Sequence, residues 1–237
     1  MKTLNVHIIA SSSKGNCIHI DDGVSSLLLD AGLPYSKIAR AVDVNQVEAV
    51  LITHRHLDHS KSVPELARRG LDVFCNSDTA LASALDPSFV VQSKGGVQRE
   101  TANWYILPFD VQHDVPCLGY LIESKNTGAK LVYAVDMPSI DYDFTGVTHW
   151  LLECNFAEDL LEAGNYNEFL KNRVRRSHMS EGNLIAFLRS SDLSKTQEIW
   201  LLHMSDANSD EKRFIDNIQQ AVGVPVYTDN SIASLHS

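Results

Sequence analysis

The sequence predicts an α/β (α+β) protein whose sheets pack face to face with helices outside. Three observations carry that expectation. The chain has 237 residues, 44% hydrophobic and 21% charged, which is the composition of a globular protein with a sizeable core. Its apolar runs are short, rich in Val, Ile, Leu and aromatics, and end in polar or turn residues. Strand-like runs crowd the N-terminal half and helical periodicity enters later, so a regular βαβ repeat is not expected.

In chain order, the strands expected are Leu4–Ala10, Cys17–Asp21, Ser25–Asp30, Ala49–Thr53, Val73–Cys75, Trp104–Leu107, Phe109–Gln112 and Gly119–Glu123. Lys130–Val135, Trp150–Glu153, Glu198–Leu202 and Val224–Tyr227 follow. Helices are expected over Pro34–Val42, Val63–Arg69, Ser77–Leu85, Ala157–Ala163, Tyr166–Val174, Glu181–Leu188 and Asp210–Ala221. Pro34 and Pro64 fall where a first helical turn accepts proline. Ser180 and Ser209 each precede an acidic residue and an apolar-periodic run, which marks them as N-caps. No Pro-, Gly- or Ser-rich linker interrupts the pattern, so one domain spanning 1–237 is expected.

Composition narrows the function classes. The formal net charge is −10, which argues against a basic coat for nucleic acid but leaves room for a local basic patch. No apolar run approaches the roughly 18–20 residues of a membrane span, so no membrane partner is expected. The first residues, Met1-Lys2-Thr3-Leu4-Asn5, lack the apolar core of a signal peptide. Cys17, Cys75, Cys117 and Cys154 form no C-x-x-C pair and are expected as free buried thiols, which points to the cytoplasm.

The chemistry concentrates at Thr53-His54-Arg55-His56-Leu57-Asp58-His59, directly after the apolar run Ala49–Ile52. Imidazole and carboxylate suit zinc, manganese or iron. A loop leaving a strand can point His54 and His56 at one metal, then turn Asp58 and His59 towards a second. Packing these side chains as unpaired core residues would cost several kcal/mol each. Further candidates end other apolar runs: His113 after Phe109–Gln112, Asp136 after Leu131–Val135, and His203 after Ile199–Leu202. Together they make five histidines and two aspartates, enough for two metals sharing one carboxylate. His7, His19, His149 and His236 have no such context and read as strand or surface residues. Arg55 reads as a spacer in the loop or a substrate contact.

The pattern H-x-H-x-D-H at 54–59, with His113, Asp136 and His203, resembles the metallo-β-lactamase superfamily over nearly the whole chain. Leu27-Leu28-Leu29-Asp30-Ala31-Gly32 resembles that superfamily's first motif. The resemblance implies a four-layer αββα sandwich of two mixed sheets flanked by helices. It implies that His54, His56 and His113 hold one metal and that Asp58, His59 and His203 hold a second. Asp136 would bridge the two, and Asp30 would orient the histidine loop.

Four segments resemble the nuclease-like YycJ/WalJ branch: Ser11-Ser12-Ser13-Lys14-Gly15-Asn16-Cys17, Leu152-Glu153-Cys154-Asn155, Arg175-Arg176-Ser177-His178-Met179-Ser180, and Leu202-His203-Met204-Ser205-Asp206-Ala207-Asn208. Ser12 stands where that branch has glycine, and methionine follows both His178 and His203 where it has leucine. The motif His-Met-Ser-x-x-Asn occurs twice, at 178 and at 203. His203 ends an apolar run and is assigned to metal. His178 follows a basic stretch and is assigned to the substrate side. Lys171, Arg173, Arg175 and Arg176 are the densest cationic cluster of an acidic chain, and arginine forks suit phosphate oxygens.

The expected activity is therefore a metal-dependent hydrolase, a dinuclear phosphodiesterase acting on DNA rather than RNA through a metal-bridging hydroxide. Asp58 would orient that hydroxide, His178 would contact phosphate or protonate the leaving oxygen, and Arg175 and Arg176 would position the backbone. The branch implies 5′-to-3′ exonuclease action. The alternative is a small-molecule acyl hydrolase for thioesters or lactones, which suits the acidic balance but not the basic run before His178.

Overall fold

Two mixed sheets flanked by helices make up the computed structural model of the protein, which describes residues 4–229. Contacts divide the chain into two units, residues 4–110 with 115–129 and residues 111–114 with 130–229.

In the first unit, β1 (Asn5–Ser12), β2 (Gly15–Asp21), β3 (Ser26–Leu29), β4 (Val47–Leu51), β5 (Asp72–Cys75) and β6 (Val90–Gln92) form one sheet in chain order. β1, β2 and β3 pair antiparallel, and β3 to β6 pair parallel. The parallel strands are apolar along nearly their whole length, Leu27–Leu29 and Ala49–Leu51 being fully buried. Such runs are expected where both faces of a sheet are covered. The cover comes from α1 (Tyr35–Ala41), α2 (Leu57–Ser60), α3 (Val63–Arg68) and α4 (Ser77–Ala82), with Ile38, Val63 and Leu66 packed in one cluster with Val50 and Val73. This unit also carries β7 (Arg99–Glu100), β8 (Trp104–Val111) and β9 (Cys117–Ser124). The Tyr120 hydroxyl of β9 donates to the Ile52 carbonyl at 2.6 Å, which pins β9 to the segment leaving β4.

In the second unit, β10 (Lys130–Ala134), β11 (His149–Glu153), β12 (Glu198–Leu202) and β13 (Val226–Tyr227) pair parallel in that order. Its helices are α5 (Glu158–Ala163), α6 (Glu168–Ser177), α7 (Glu181–Ser190) and α8 (Glu211–Val222). None of the helices among the described residues is long and apolar enough to cross a membrane.

Most predicted elements appear within a few residues of their expected bounds. The runs at 104–107 and 109–112 are one strand, because Pro108 costs a strand one donor without turning it. β6, β7 and α2 are too short to leave a periodic trace. Ser180 caps α7, accepting from the Asn183 amide at 3.1 Å. Ser209 is not the cap of α8: Asp210 is, accepting from the Arg213 amide at 3.0 Å, while the Ser209 hydroxyl donates to the Ser205 carbonyl. Pro34 sits at the N-cap of α1 rather than inside it, and Pro64 is in the first turn of α3. His236 lies outside the described residues.

Candidate metal centre

Strand ends set the site. Among the described residues four non-glycine ones have a left-handed backbone, and three of them are Asp30 (φ 58°), Asp136 (φ 57°) and His203 (φ 52°). Each stands just beyond a buried parallel strand, after β3, β10 and β12. A bulky residue in that region is uncommon and costs energy, and such strain collects where a side chain must be aimed.

In the first unit, β4 runs through Ile52 and Thr53 into the histidine loop. Asp30 is fully buried and holds this loop. Its Oδ1 accepts from the Thr53 amide at 2.8 Å and from the Thr53 hydroxyl at 3.1 Å. Its Oδ2 accepts from His59 Nδ1 at 2.7 Å. That bond fixes the tautomer: with Nδ1 protonated, Nε2 of His59 carries the lone pair. Asn16, in the segment after the β1–β2 turn, places its Nδ2 3.0 Å from that Nε2.

The loop folds into α2, so Asp58 and His59 are helical and the side chains of 54, 56 and 59 converge. His54 Nε2 lies 3.0 Å from His56 Nδ1, and the His54 and His59 ring centroids are 4.2 Å apart. Two nitrogens on one tetrahedral ion at 2.0–2.1 Å lie about 3.3 Å apart, so this pair is close to chelating spacing. Asp58 Oδ2 is 3.5 Å from His59 Nε2. Gly32 makes the arrangement possible. A Cβ there would sit 1.6 Å from the Asp58 carbonyl oxygen, while the neighbouring Ala31 amide donates to the His59 carbonyl at 2.7 Å. Arg55 pairs with Asp78 at 3.3 Å.

In the second unit, Asp136, His178 and His203 gather around Glu153, the fully buried last residue of β11. Glu153 Oε1 accepts from His178 Nδ1 and from His203 Nδ1, each at 2.8 Å. Its Oε2 accepts from the Met137 amide at 3.2 Å and the Met179 amide at 3.0 Å. Burial works against the charge on Glu153, but the hydrogen bonds from the two histidines prevail and hold its carboxyl below the usual range. Burial likewise opposes the charge on His178, and the bond to Glu153 outweighs it and raises the imidazole. One ligand-type atom from each of Asp136, Glu153, His178 and His203 falls within 4.8 Å of the others. His113, in the short segment 111–114, has Nε2 3.0 Å from Asp114.

The donor sets of both units, imidazole nitrogens beside carboxylate oxygens with buried carboxylates behind them, fit a divalent metal ion. Sequence reasoning missed Glu153 as a site residue, although it quoted the segment that contains it. The available signal was an acid closing an otherwise apolar strand, the position Asp30 also occupies, although Asp30 itself came from the resemblance. Asn16, Thr53 and Gly32 were missed because their roles depend on contacts distant in sequence.

The cationic cluster is divided. Arg175 donates from Nε to Glu158 at 2.7 Å and from Nη2 to Glu158 and Glu162, and Lys171 pairs with Glu162 at 2.7 Å. Arg173 and Arg176 are exposed and pair with no carboxylate among the described residues. The Ser11–Asn16 segment is a β-hairpin turn, with Ser12 opposite Gly15. His7 and His19 face each other across β1 and β2, and His149 is buried at the start of β11.

A family model described as a beta-lactamase superfamily domain matches residues 23–204. Over 222 residues the chain is 29% identical to the exodeoxyribonuclease WalJ of Streptococcus pneumoniae serotype 2 (strain D39), covering 85% of this chain and 82% of that protein. Over 232 residues it is 28% identical to the exodeoxyribonuclease YycJ of Bacillus anthracis, covering 87% and 84%. Among solved structures, the metallo-beta-lactamase fold protein YhfI of Bacillus subtilis superposes with a TM-score of 0.74 at 16% identity, covering 95% of each chain.

Proposed function

We propose that this chain, which belongs to the beta-lactamase superfamily, is a metal-dependent phosphodiesterase that cleaves DNA as an exonuclease, in the 5′-to-3′ sense the branch implies. The observation that carries the reading is the pair of oriented histidine clusters, one behind Asp30 and one behind Glu153, in a chain similar to two exodeoxyribonucleases. The reading takes 1–237 as one domain, because its ligands come from both halves of the sequence.

In this reading two divalent ions, zinc or manganese with iron as a further option, are held by seven residues. His54, His56 and His113 would hold one, Asp58, His59 and His203 would hold the other, and Asp136 would be shared by the two. When bound, divalent metals supply a hydroxide-like nucleophile at neutral pH and neutralise charge on phosphoryl oxygens. Asp30 holds His59 by its Nδ1 and anchors the loop, so the ligands meet the metal already oriented. Asp58 accepts a hydrogen bond from the attacking water and aims it at phosphorus. One P–O bond forms and the bond to the leaving oxygen breaks. His178, with Nδ1 on Glu153 and Nε2 without a protein partner among the described residues, gives a proton to that oxygen in this reading. Of the two arginines expected on the backbone, Arg176 is open, and Arg175 reaches a phosphate only by giving up Glu158 and Glu162. Four buried free thiols support a reducing compartment, hence the cytoplasm.

The test is cleavage of 5′-labelled single- and double-stranded DNA and RNA by protein loaded with Mn²⁺ or Zn²⁺, against the double variant His56→Ala, Asp58→Ala. DNA cleavage lost in the variant is the expected result. A wild type that cuts none of the four substrates but hydrolyses thioesters or lactones overturns the reading.

A further inference from the structure

Beside His178 the second unit carries a groove of about 250 Å³, lined by Tyr166, Leu170, Arg173, Val174, His178 and Asn208. This is smaller than the roughly 300–1,000 Å³ of pockets that enclose whole drug-sized ligands, and suits one nucleotide unit of a longer strand. Its walls differ in chemistry. Tyr166 is 38% exposed, and one edge of its ring lies against Gly164, where a Cβ would come within 2.7 Å of Cε2. Leu170, at 41% exposed, adds an apolar flank. Arg173 has no ion pair among the described residues, in a chain of net charge −10. It lines the groove together with His178. Asn208 is 6% exposed, and its buried Oδ1 meets no donor among the described residues.

We infer that this groove is a nucleotide subsite that grips single-stranded DNA next to the scissile phosphate. Tyr166 offers a π-face to a base, Arg173 a guanidinium to the adjoining phosphate, and the Asn208 amide a hydrogen bond to a base edge. Stacking on an aromatic ring tolerates any base, which suits an enzyme that travels along a strand. The occupant follows from charge and shape together: an acidic or purely apolar ligand would leave either Tyr166 or Arg173 and Asn208 unused. Because His178 forms one wall, a nucleotide seated here brings its phosphate to the side chain proposed to protonate the leaving oxygen. The inference rests on the nuclease reading above.

The test compares two substrates of the metal-loaded protein, a short single-stranded oligodeoxynucleotide and methyl p-nitrophenyl phosphate, a diester without a base. The variants are Tyr166→Ala, Tyr166→Phe, Arg173→Ala and, as a surface control outside the groove's lining, Arg68→Ala. For Tyr166→Ala and Arg173→Ala, kcat/KM on the oligonucleotide is expected to fall about tenfold further than on the small diester. Tyr166→Phe is expected to keep the stacking face and restore most of the difference. Between about 50 and 200 mM salt, Arg173→Ala is expected to flatten the log–log salt dependence by about 0.7, the contribution of one single-strand phosphate contact. Oligonucleotide cleavage by wild type with both alanine variants tracking Arg68→Ala overturns the subsite and leaves the nuclease reading standing. A wild type that hydrolyses the small diester and leaves the oligonucleotide intact overturns the nuclease reading, and the subsite with it.

Discussion

Asp30 and Glu153 are the same device used in two ways. Both close a buried apolar strand, both are fully buried, and both accept a histidine Nδ1–H within 2.8 Å. Asp30 spends its second oxygen on Thr53 and so stiffens one continuous loop that carries four ligand-type side chains in six positions. Glu153 instead ties together three segments distant in sequence: the turn after β10 through Met137, the end of α6 through His178 and Met179, and the end of β12 through His203. The first cluster is compact in sequence and depends on local backbone. The second exists only once its sheet is formed. The difference also divides the labour. Asp30 serves one proposed ligand, His59, and the loop backbone at Thr53, whereas Glu153 serves one proposed ligand, His203, and one proposed proton donor, His178.

The sharpest way to break that division is His178→Ala. It is expected to lower kcat by about 10²–10⁴-fold, the usual weight of a general acid. Two metals per chain should remain, read by elemental analysis of the same sample. His203→Ala should lose bound metal as well as activity. Metal loss in both variants would make His178 a ligand and end the distinction.

Next in size is Gly32→Ala. The added methyl collides with the Asp58 carbonyl and must push α2 aside. A displacement on that scale at a catalytic centre costs about 100-fold in rate. Lower metal content should accompany it, because His56, Asp58 and His59 move together.

The paired substitutions Asp30→Asn and Glu153→Gln sharpen the comparison. Removing the partner of a ligating histidine weakens metal affinity by about 10–100-fold. For Asp30→Asn, titration with excess Mn²⁺ should recover most of the activity. For Glu153→Gln, metal should rebind while activity stays low, because His178 has lost its hold as well.

The smallest effect concerns the cationic cluster. Arg176→Ala is expected to raise the oligonucleotide KM a few-fold, as a lost exposed phosphate contact does. Arg175→Ala should change KM less and lower the melting temperature slightly, since its guanidinium is already shared by Glu158 and Glu162.

How far these regions were legible in the sequence follows from the same contrast. The first cluster was readable because the H-x-H-x-D-H spacing is itself the geometry: six residues leaving one strand can point only so many ways. The strand ends at Asp136 and His203 were readable because an apolar run stops at a polar residue, and the one at Asp30 through the motif that resembles the superfamily's first. Their left-handed backbone was not, since no composition signal marks it. Glu153 was overlooked because its partners are 25 and 50 residues away and meet it only when β11 and β12 pair. The basic run was legible as charge but not as pairing, because Glu158 and Glu162 lie on α5, and only packing brings them to Arg175.

The most direct test of the central claim is anomalous diffraction from crystals of the protein grown with Mn²⁺. Two peaks are predicted, one against His54, His56 and His113 and one against Asp58, His59 and His203, with Asp136 touching both and His178 touching neither. A single peak, or a peak within bonding distance of His178, would contradict the account.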